Sequence, residues 1–374
     1  MRVLIAPDKF KGTLSAKQAA KAIARGWRSV RSADSLSLAP ISDGGDGFGQ
    51  IMAAAIMVTP VRCRTMDAAG RPATATWWWQ PRKRIAIIEA ATVIGLAKLP
   101  AGVFHPFKLD TRGLAQMLRA AHRKGAQRCV IGIGGSATND GGFGLAHALG
   151  WRFFDERDQP ITVWTELHRL VRCQRAPRQD WPSRIEVAVD VQNQLLGAHG
   201  CTRIFGPQKG LKRSQFTKAE RNLVKLAKVV HGECGQNHAK EAGAGAAGGL
   251  GFGLAAFVGA TLRPGFSLVA EALRLPEQVR HAQLVLTGEG RLDASSLMGK
   301  ATGEIARLCR SNERVCLALA GTAQTSPSLK VLFGNITALT DIASAESARR
   351  KAAYHLQQLA AQAARNTCRN PTAQ

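Results

Sequence analysis

Acidic residues are scarce in this chain. Its 374 residues hold 26 aspartates and glutamates against 51 lysines and arginines, a net charge of +25. An imbalance of that size favours anionic partners of some kind. The basic residues nevertheless fall in small scattered groups, such as PRKR near Arg84 and ARRK near Arg350, with no long basic tail and no aromatic-interleaved RNA motif. A solvated, arginine-biased surface is therefore preferred to a nucleic-acid site. Long hydrophobic runs are also missing. The opening MRVLIAPDKF is too short in its apolar run for a secretory leader, and Asp8 and Lys9 interrupt it. The most apolar stretch, GAGAAGGLGFGLAAFVGATL, is too glycine-rich for a membrane helix and runs into Arg263 and Pro264. A soluble, cytoplasmic protein without a membrane partner is expected.

Cysteine pairs are absent too. The eight cysteines include no C-x-x-C pair, and no histidine stands at zinc-finger spacing from two of them. Disulfides and structural zinc are set aside, and the thiols are read as reduced and buried. The nine histidines include no H-E-x-x-H, and no G-x-S-x-G elbow occurs.

What is present is a repeated strand, glycine-bearing loop and helix. RVLIA leads through PDKFKGTLS to a helix that Ser15 and Gln18 are placed to cap as a capping box. LSLAPI reads as a second buried strand, leading through SDGGDG to FGQIMAAAI. Late in the chain AQLVLTGEG, RVCLALAG and ITALTDI alternate with helical segments, ending in AESARRKAAYHLQQLAAQAAR. These patterns predict a parallel sheet with working loops at the strands' C-terminal ends. Between them, RCRTMDAAGRPATATWWWQ alternates around an AGRP turn, as antiparallel strands do. One of Trp77, Trp78 and Trp79 is expected to face solvent or a partner. The length suggests two domains. Both chain ends would build one (1–62 plus 283–374), with 63–282 inserted as the other and ligands bound between them.

Five loops join glycine to polar or charged residues after a predicted strand. APDKFKGTLS places Lys9 and Lys11 at a helix start, where an anion is favoured. SDGGDGFG carries Asp43 and Asp46, candidate ligands for Mg²⁺. GIGGSATNDGG, with Gly134, Gly135, Ser136, Thr138, Asn139, Asp140 and Gly141, has the glycines and donors of a phosphate-holding turn. It matches neither the Walker nor the dinucleotide fingerprint. VDVQNQLLGAHGCTRIFGPQKG offers Asp190, Asn193 and Lys209. TGEGRLDASSLMGK offers Glu289, Arg291, Asp293 and Lys300. GAGAAGGLGFGLAAF fits close helix packing or backbone approach to a base.

Taken in order, APDKFKGTLSA, DGGDG, GIGGSATNDGG, FGPQKG, GAGAAGGLG, LRPG and TGEGRLD…GK resemble the bacterial type-1 glycerate kinase family over roughly residues 1–340. The resemblance implies two α/β domains, one flavodoxin-like, discontinuous and parallel, the other an inserted mixed sheet carrying the GGSATNDGG and FGPQKG loops. It implies ATP-dependent phosphorylation of D-glycerate at the 2-hydroxyl, with Mg²⁺. On matching positions, Gly134, Gly135, Ser136, Thr138, Asn139 and Gly141 would hold nucleotide phosphates. Lys11 and Lys209 would stabilise the transferring group. Arg291, Asp8 and Asn193 would bind the acid, Asp190 or Asp293 would take the hydroxyl proton, and Asp43 would bind Mg²⁺. The partners implied are glycerate and ATP, with a homodimer admitted and nucleic acid not expected.

The chain also departs from the family's pattern. HPFKLDTRGLAQM, around 105–116, stands where a run like NPLKTTTYGTGEL is usual. Gln194 replaces a proline, and a glycine-rich segment is missing around TVWTELHRL, at 161–172. These changes bear on substrate choice and turnover, with Lys108 and Arg112 as candidates to read a different acid. A relative of reduced activity, or one acting on another hydroxy acid, is the alternative.

Overall fold

The first strand of the computed structural model, Arg2–Ile5, buries Val3, Leu4 and Ile5 almost completely. The structure describes residues 1–45 and 47–369. The chain divides into two compact units, one of Met1–Asp43 with Phe266–Gln374 and one of Gly44–Gly265.

In the first unit, Arg2–Ile5 pairs in parallel with Ser35–Leu38 on one side and Leu284–Thr287 on the other. Val315–Ala320 and Asn335–Ala338 extend the sheet, also in parallel. Counted along the chain, the spatial order is 2-1-3-4-5, the flavodoxin order. Ser15 and Gln18 form the expected capping box, and the helix Ala16–Arg28 follows. Its alanines, Ile23 and Trp27 pack with Leu356, Leu359 and Ala360 of the C-terminal helix Ala352–Arg369. Gly26 is needed there, because a Cβ would stand 2.0 Å from the Gln357 carbonyl oxygen. Trp27 Nε1 donates to Asp34 at 2.9 Å, so its buried polar end is satisfied.

In the second unit, six strands form a mixed sheet. Thr59–Met66, Pro72–Gln80 and Ile85–Glu89 run antiparallel in succession. Ile85–Glu89, Arg128–Gly132, Arg184–Val189 and Thr261–Pro264 run parallel. The continuous apolar strands sit in the centre because helices cover both faces. Each fully buried Ile or Leu here contributes roughly 1.5–3 kcal/mol.

Five expectations change. Ser35–Leu38 is mostly exposed, being the last strand of its sheet. The Trp77–Trp78–Trp79 run, not expected to alternate cleanly between the faces of a strand, does alternate. Trp77 and Trp79 are buried on one face with rings edge-on at 6.4 Å, and Trp78 lies over Gly49 on the other. Trp78 keeps partial exposure, and the helix Phe48–Ala55 packs on this sheet. That packing also takes Phe48–Ala55 into the second unit, whereas the sequence reading kept it with the first. Likewise the helix Leu275–His281 packs on Arg2–Ile5, so the chain returns to the first unit before residue 283. Finally, the C-terminal helix is two, Ala345–Arg350 and Ala352–Arg369. No helix among the described residues is long and apolar enough to cross a membrane, and the seven cysteines whose side chains are described are free thiols.

Candidate active site

The GIGGSATNDGG turn leaves the buried strand Arg128–Gly132 and enters the short helix Phe143–Ala148. Glycine lets backbone pack on backbone around it. A Cβ on Gly134 would lie 2.6 Å from Gly45 Cα, and one on Gly142 would lie 2.7 Å from Gly253 Cα. The glycine-rich segment 243–257 supplies that second wall. It kinks through Ala247, Gly248 and Gly249, all at positive φ, and the Gly248 carbonyl accepts from Gly141 N at 3.1 Å. Close backbone packing is therefore its observed role. Gly248→Ala would put a Cβ 2.0 Å from the Thr138 carbonyl oxygen at φ +73°. It is expected to lower the denaturation midpoint sharply. Gly232→Ala, where a Cβ meets nothing within 4 Å, should leave the midpoint unchanged or raise it, by up to about 1 kcal/mol of stability.

Asp140 organises the turn. Oδ2 accepts from Thr111 N at 3.0 Å, Thr111 Oγ1 at 2.8 Å and Gly144 N at 2.9 Å, and Oδ1 from Gly142 N at 3.3 Å. Thr111 Oγ1 in turn accepts from Leu145 N at 2.9 Å. The amides that open the helix Phe143–Ala148 are thus already bonded, so this helix start is not a vacant anion nest. Asp140 is likewise fully engaged by the fold. Burial, then the nearby Asp110, raise its pKa to about 6.

Beside this turn lies Lys209, in the 3-10 turn Pro207–Lys209, only 6% exposed. Its Nζ donates to Ser136 Oγ at 3.1 Å and to the Thr138 carbonyl at 2.6 Å. Burial lowers its pKa to about 8. Asn139 Nδ2 donates to Thr202 Oγ1 at 3.1 Å, while Asn139 Oδ1 and Thr138 Oγ1 are buried with no partner. A buried ammonium with two neutral acceptors, next to the unpartnered Thr138 hydroxyl, can take the oxygens of an anion, whereas Asn139 Oδ1 calls for a donor such as a ligand hydroxyl.

In the first unit, the loops leaving Arg2–Ile5 and Leu284–Thr287 emerge side by side, where the strand order reverses. That is the place where open α/β sheets bind ligands. Asp8 N donates to the Gly288 carbonyl at 2.8 Å, joining the two loops. Asp8 and Glu289 are buried, and Asp43 lies with them. Burial first, then Asp43, push Asp8 up to about 7. Burial also raises Glu289, whose Oε1 is buried with no partner. Lys9 Nζ stands 3.9 Å from Asp43, and Lys300 Nζ stands 3.6 Å from Glu289.

A sequence profile of the Glycerate kinase family matches residues 3–370. The chain belongs to the glycerate kinase family. It is 37% identical to a glycerate kinase of Halalkalibacterium halodurans, over 86% of this chain and 85% of the relative. It is 35% identical to the glycerate 2-kinase of Escherichia coli, again over 86% and 85%. The crystal structure of a candidate glycerate kinase 2 from Salmonella typhimurium LT2 superposes with a TM-score of 0.84 at 31% identity, covering 99% of both chains. Family membership makes the chain a phosphotransferase and accords with the two α/β architectures found here.

Within this glycerate kinase family frame, the expected residues divide into two groups. Ser136, Thr138, Asn139 and Lys209 come together in the second unit, with Gly134, Gly135 and Gly141 shaping the turn. Asn193 Nδ2 is taken by the His199 carbonyl at 2.8 Å, and Asp190 ends its strand exposed. Asp8 and Asp43 cluster in the first unit, while Lys11 is exposed. Arg291 is 72% exposed on its side chain and pairs with Asp293 at 2.8 Å. Asp293 also caps Ser295, whose hydroxyl, ahead of Arg291, lowers its pKa. Asp46 lies outside the described residues. Arg112 is held by Asp110 at 2.7 Å, so its guanidinium is spoken for locally.

Sequence reasoning missed Thr111 and Thr202, which bind the turn from far along the chain. A signal existed for the first: within the stretch that departs from the family run, Thr111 keeps a threonine. The second departure is packed as well. Trp164 is buried and donates from Nε1 to the Leu109 carbonyl at 3.1 Å.

Proposed function

We propose that this chain transfers the γ-phosphoryl group of ATP to the 2-hydroxyl of D-glycerate, giving 2-phosphoglycerate and ADP. Lys209 carries the reading. No ion pair to it is found among the described residues, and its ammonium is held beside Ser136 and Thr138 in a glycine-lined turn. Phosphate oxygens there would replace the hydration that burial removed, and the charge would stabilise a transferring phosphoryl group. The names of the relatives supply the substrate class.

Direct in-line transfer forms a bond from the glycerate oxygen to Pγ and breaks the bond from Pγ to the bridging oxygen. The hydroxyl proton must leave as this happens. Asp8 is the acceptor we assign, because it is buried at the point where the strand order reverses. Asp293 is engaged with Arg291 and Ser295, which suits it to shaping its loop. Asp8→Asn is expected to lower kcat by about 10²- to 10⁴-fold, and Asp293→Asn by less than about tenfold. Near-normal turnover by Asp8→Asn would remove Asp8 from this role and return Asp190 to it.

Mg²⁺ fits the first unit's carboxylates. Asp43 and the unpartnered Glu289 Oε1 would hold it. No group of three or more His, Cys, Asp or Glu side chains suited to a metal occurs among the described residues. Mg²⁺ prefers one or two protein carboxylates plus water and phosphate oxygens. When bound, it supplies charge neutralisation on the phosphates.

An ADP-release assay across a panel of hydroxy acids, with and without Mg²⁺, tests the reaction. Phosphorus NMR of the product distinguishes the two hydroxyls. ADP release with glycerate and a 2-phosphate product is expected. Release with no hydroxy acid tested, or a 3-phosphate product, overturns the reading.

A further inference from the structure

The charge excess is not spread evenly over the first unit. No acid occurs between Asp8 and Asp34, a span with seven lysines and arginines, and none follows Glu346, where five more occur. The fold sets these two acid-free segments against each other, as the packed helices Ala16–Arg28 and Ala352–Arg369. On the first helix Lys17, Lys21, Arg25 and Arg28 recur every three or four positions, all exposed. None of the four has a carboxylate partner among the described residues. By contrast Arg31, just beyond, is paired to Asp34 at 2.6 Å.

Alongside this stripe lies an open groove of about 370 Å³, lined by Ser29 and by Tyr354, Gln357, Gln358, Gln362 and Arg365. Tyr354 is the chain's single tyrosine and is 57% exposed. Its ring is held in place: Gln358 Nε2 donates to the hydroxyl at 2.9 Å, and His355 meets the ring edge-on at 5.3 Å. Gly26 and Gln357 are in contact where the helices cross, so the groove adjoins the basic stripe.

We infer that this face is a docking surface for single-stranded nucleic acid. The stripe and Arg365 would track successive phosphates, the tyrosine ring would stack a base, and the glutamine amides would meet base edges. Stacking needs an unpaired base, which separates this partner from a duplex. A membrane is a poorer fit, because the groove offers Ile342 and one tyrosine but none of the Trp, Phe and Leu anchors that insert into lipid. The surface is independent of the kinase reading, since none of its residues belongs to the site described above.

The test is fluorescence anisotropy of a labelled deoxythymidine oligomer of about 20 nucleotides with the full-length protein. Binding is expected at 50 mM salt, weakening by at least about tenfold at 200 mM. Tyr354→Ala should weaken it about fivefold or more at both salts. The double variant Arg25→Gln, Arg28→Gln should weaken it at 50 mM and flatten its salt dependence. Lys218→Gln with Lys225→Gln, on the helix Phe216–Cys234 of the other unit, controls for charge alone and should leave binding close to wild type. All variants should retain wild-type thermal midpoints. Three results overturn the inference: no binding at 50 mM salt, equal losses in the Lys218 and Tyr354 variants, or tighter binding to duplex of equal length or to phosphatidylserine vesicles.

Discussion

Lys209→Met is expected to cut kcat/KM by about 10²- to 10³-fold with the fold intact. Methionine keeps most of the length and apolar volume of the lysine stem, so the packing around residue 209 should survive. What disappears is one charge, delivered through a side chain whose ammonium is already oriented by Ser136 and Thr138. Because the penalty of burying that charge is met during folding, little reorganisation is needed when phosphate arrives. The same burial gives a pH signature. Lys209 sits near 8 in the folded chain, against 10.5 for the exposed side chain. Above pH 8 the free enzyme loses this proton, so ATP affinity should fall through that range, and the fall should be absent in Lys209→Met. The stability effect has the opposite direction. Between about 8 and 10.5 the unfolded chain binds more protons than the folded one, so this group's contribution to stability improves as pH rises. Affinity measured by calorimetry from pH 7 to 9.5 decides the matter. A pH-independent affinity, or equal pH dependence in wild type and variant, would remove Lys209 from the phosphate site.

Local chemistry was legible before any coordinates, and non-local chemistry was not. The Ser15 and Gln18 capping box is written within four residues and forms as read. The alternation around AGRP likewise gives the antiparallel pair Thr59–Met66 and Pro72–Gln80. The order of the glycine loops, and the family likeness it carries, needs only the chain. The chemical standing of each loop residue depends instead on what lies opposite. Lys209 looks like any surface lysine in FGPQKG until Ser136, 73 positions earlier, closes over it. Asp293 and Arg291 look like an acid and a clamp, but bond each other at a separation of two. Asp8 reads as a polar turn residue, and its burial comes from the return of the chain 280 residues later at Gly288. The tryptophan run misled for the same reason. Which face a strand residue meets depends on the helix laid over it, and Phe48–Ala55 comes from before the strand.

Asp140→Ala should destabilise the second unit by about 3–5 kcal/mol. The carboxylate accepts four hydrogen bonds, three of them on Oδ2, and is wholly buried. Alanine would strand the amides of Thr111 and Gly144 and the Thr111 hydroxyl without water to replace it. It would also untie the start of the helix Arg112–Arg123 from the turn that precedes Phe143–Ala148. Asparagine offers a sharper comparison. Its carbonyl can serve the three donors that point at Oδ2, leaving its NH₂ against Gly142 N, the longest of the four contacts. Asp140→Asn should therefore cost only about 1–2 kcal/mol. The raised pKa agrees with this ranking. A folded pKa of about 6 against 3.8 means the charged form is penalised by burial, so Asp140's electrostatic contribution weakens as pH rises from 4 towards 7. Asparagine escapes that penalty, and the gap between wild type and Asp140→Asn should narrow from pH 5 to pH 8. Were Asp140 a metal ligand instead, both variants would lose Mg²⁺-dependent turnover alike while keeping wild-type stability. Denaturation midpoints for the two variants at both pH values, set beside turnover, separate a residue that builds the turn from one that works in it.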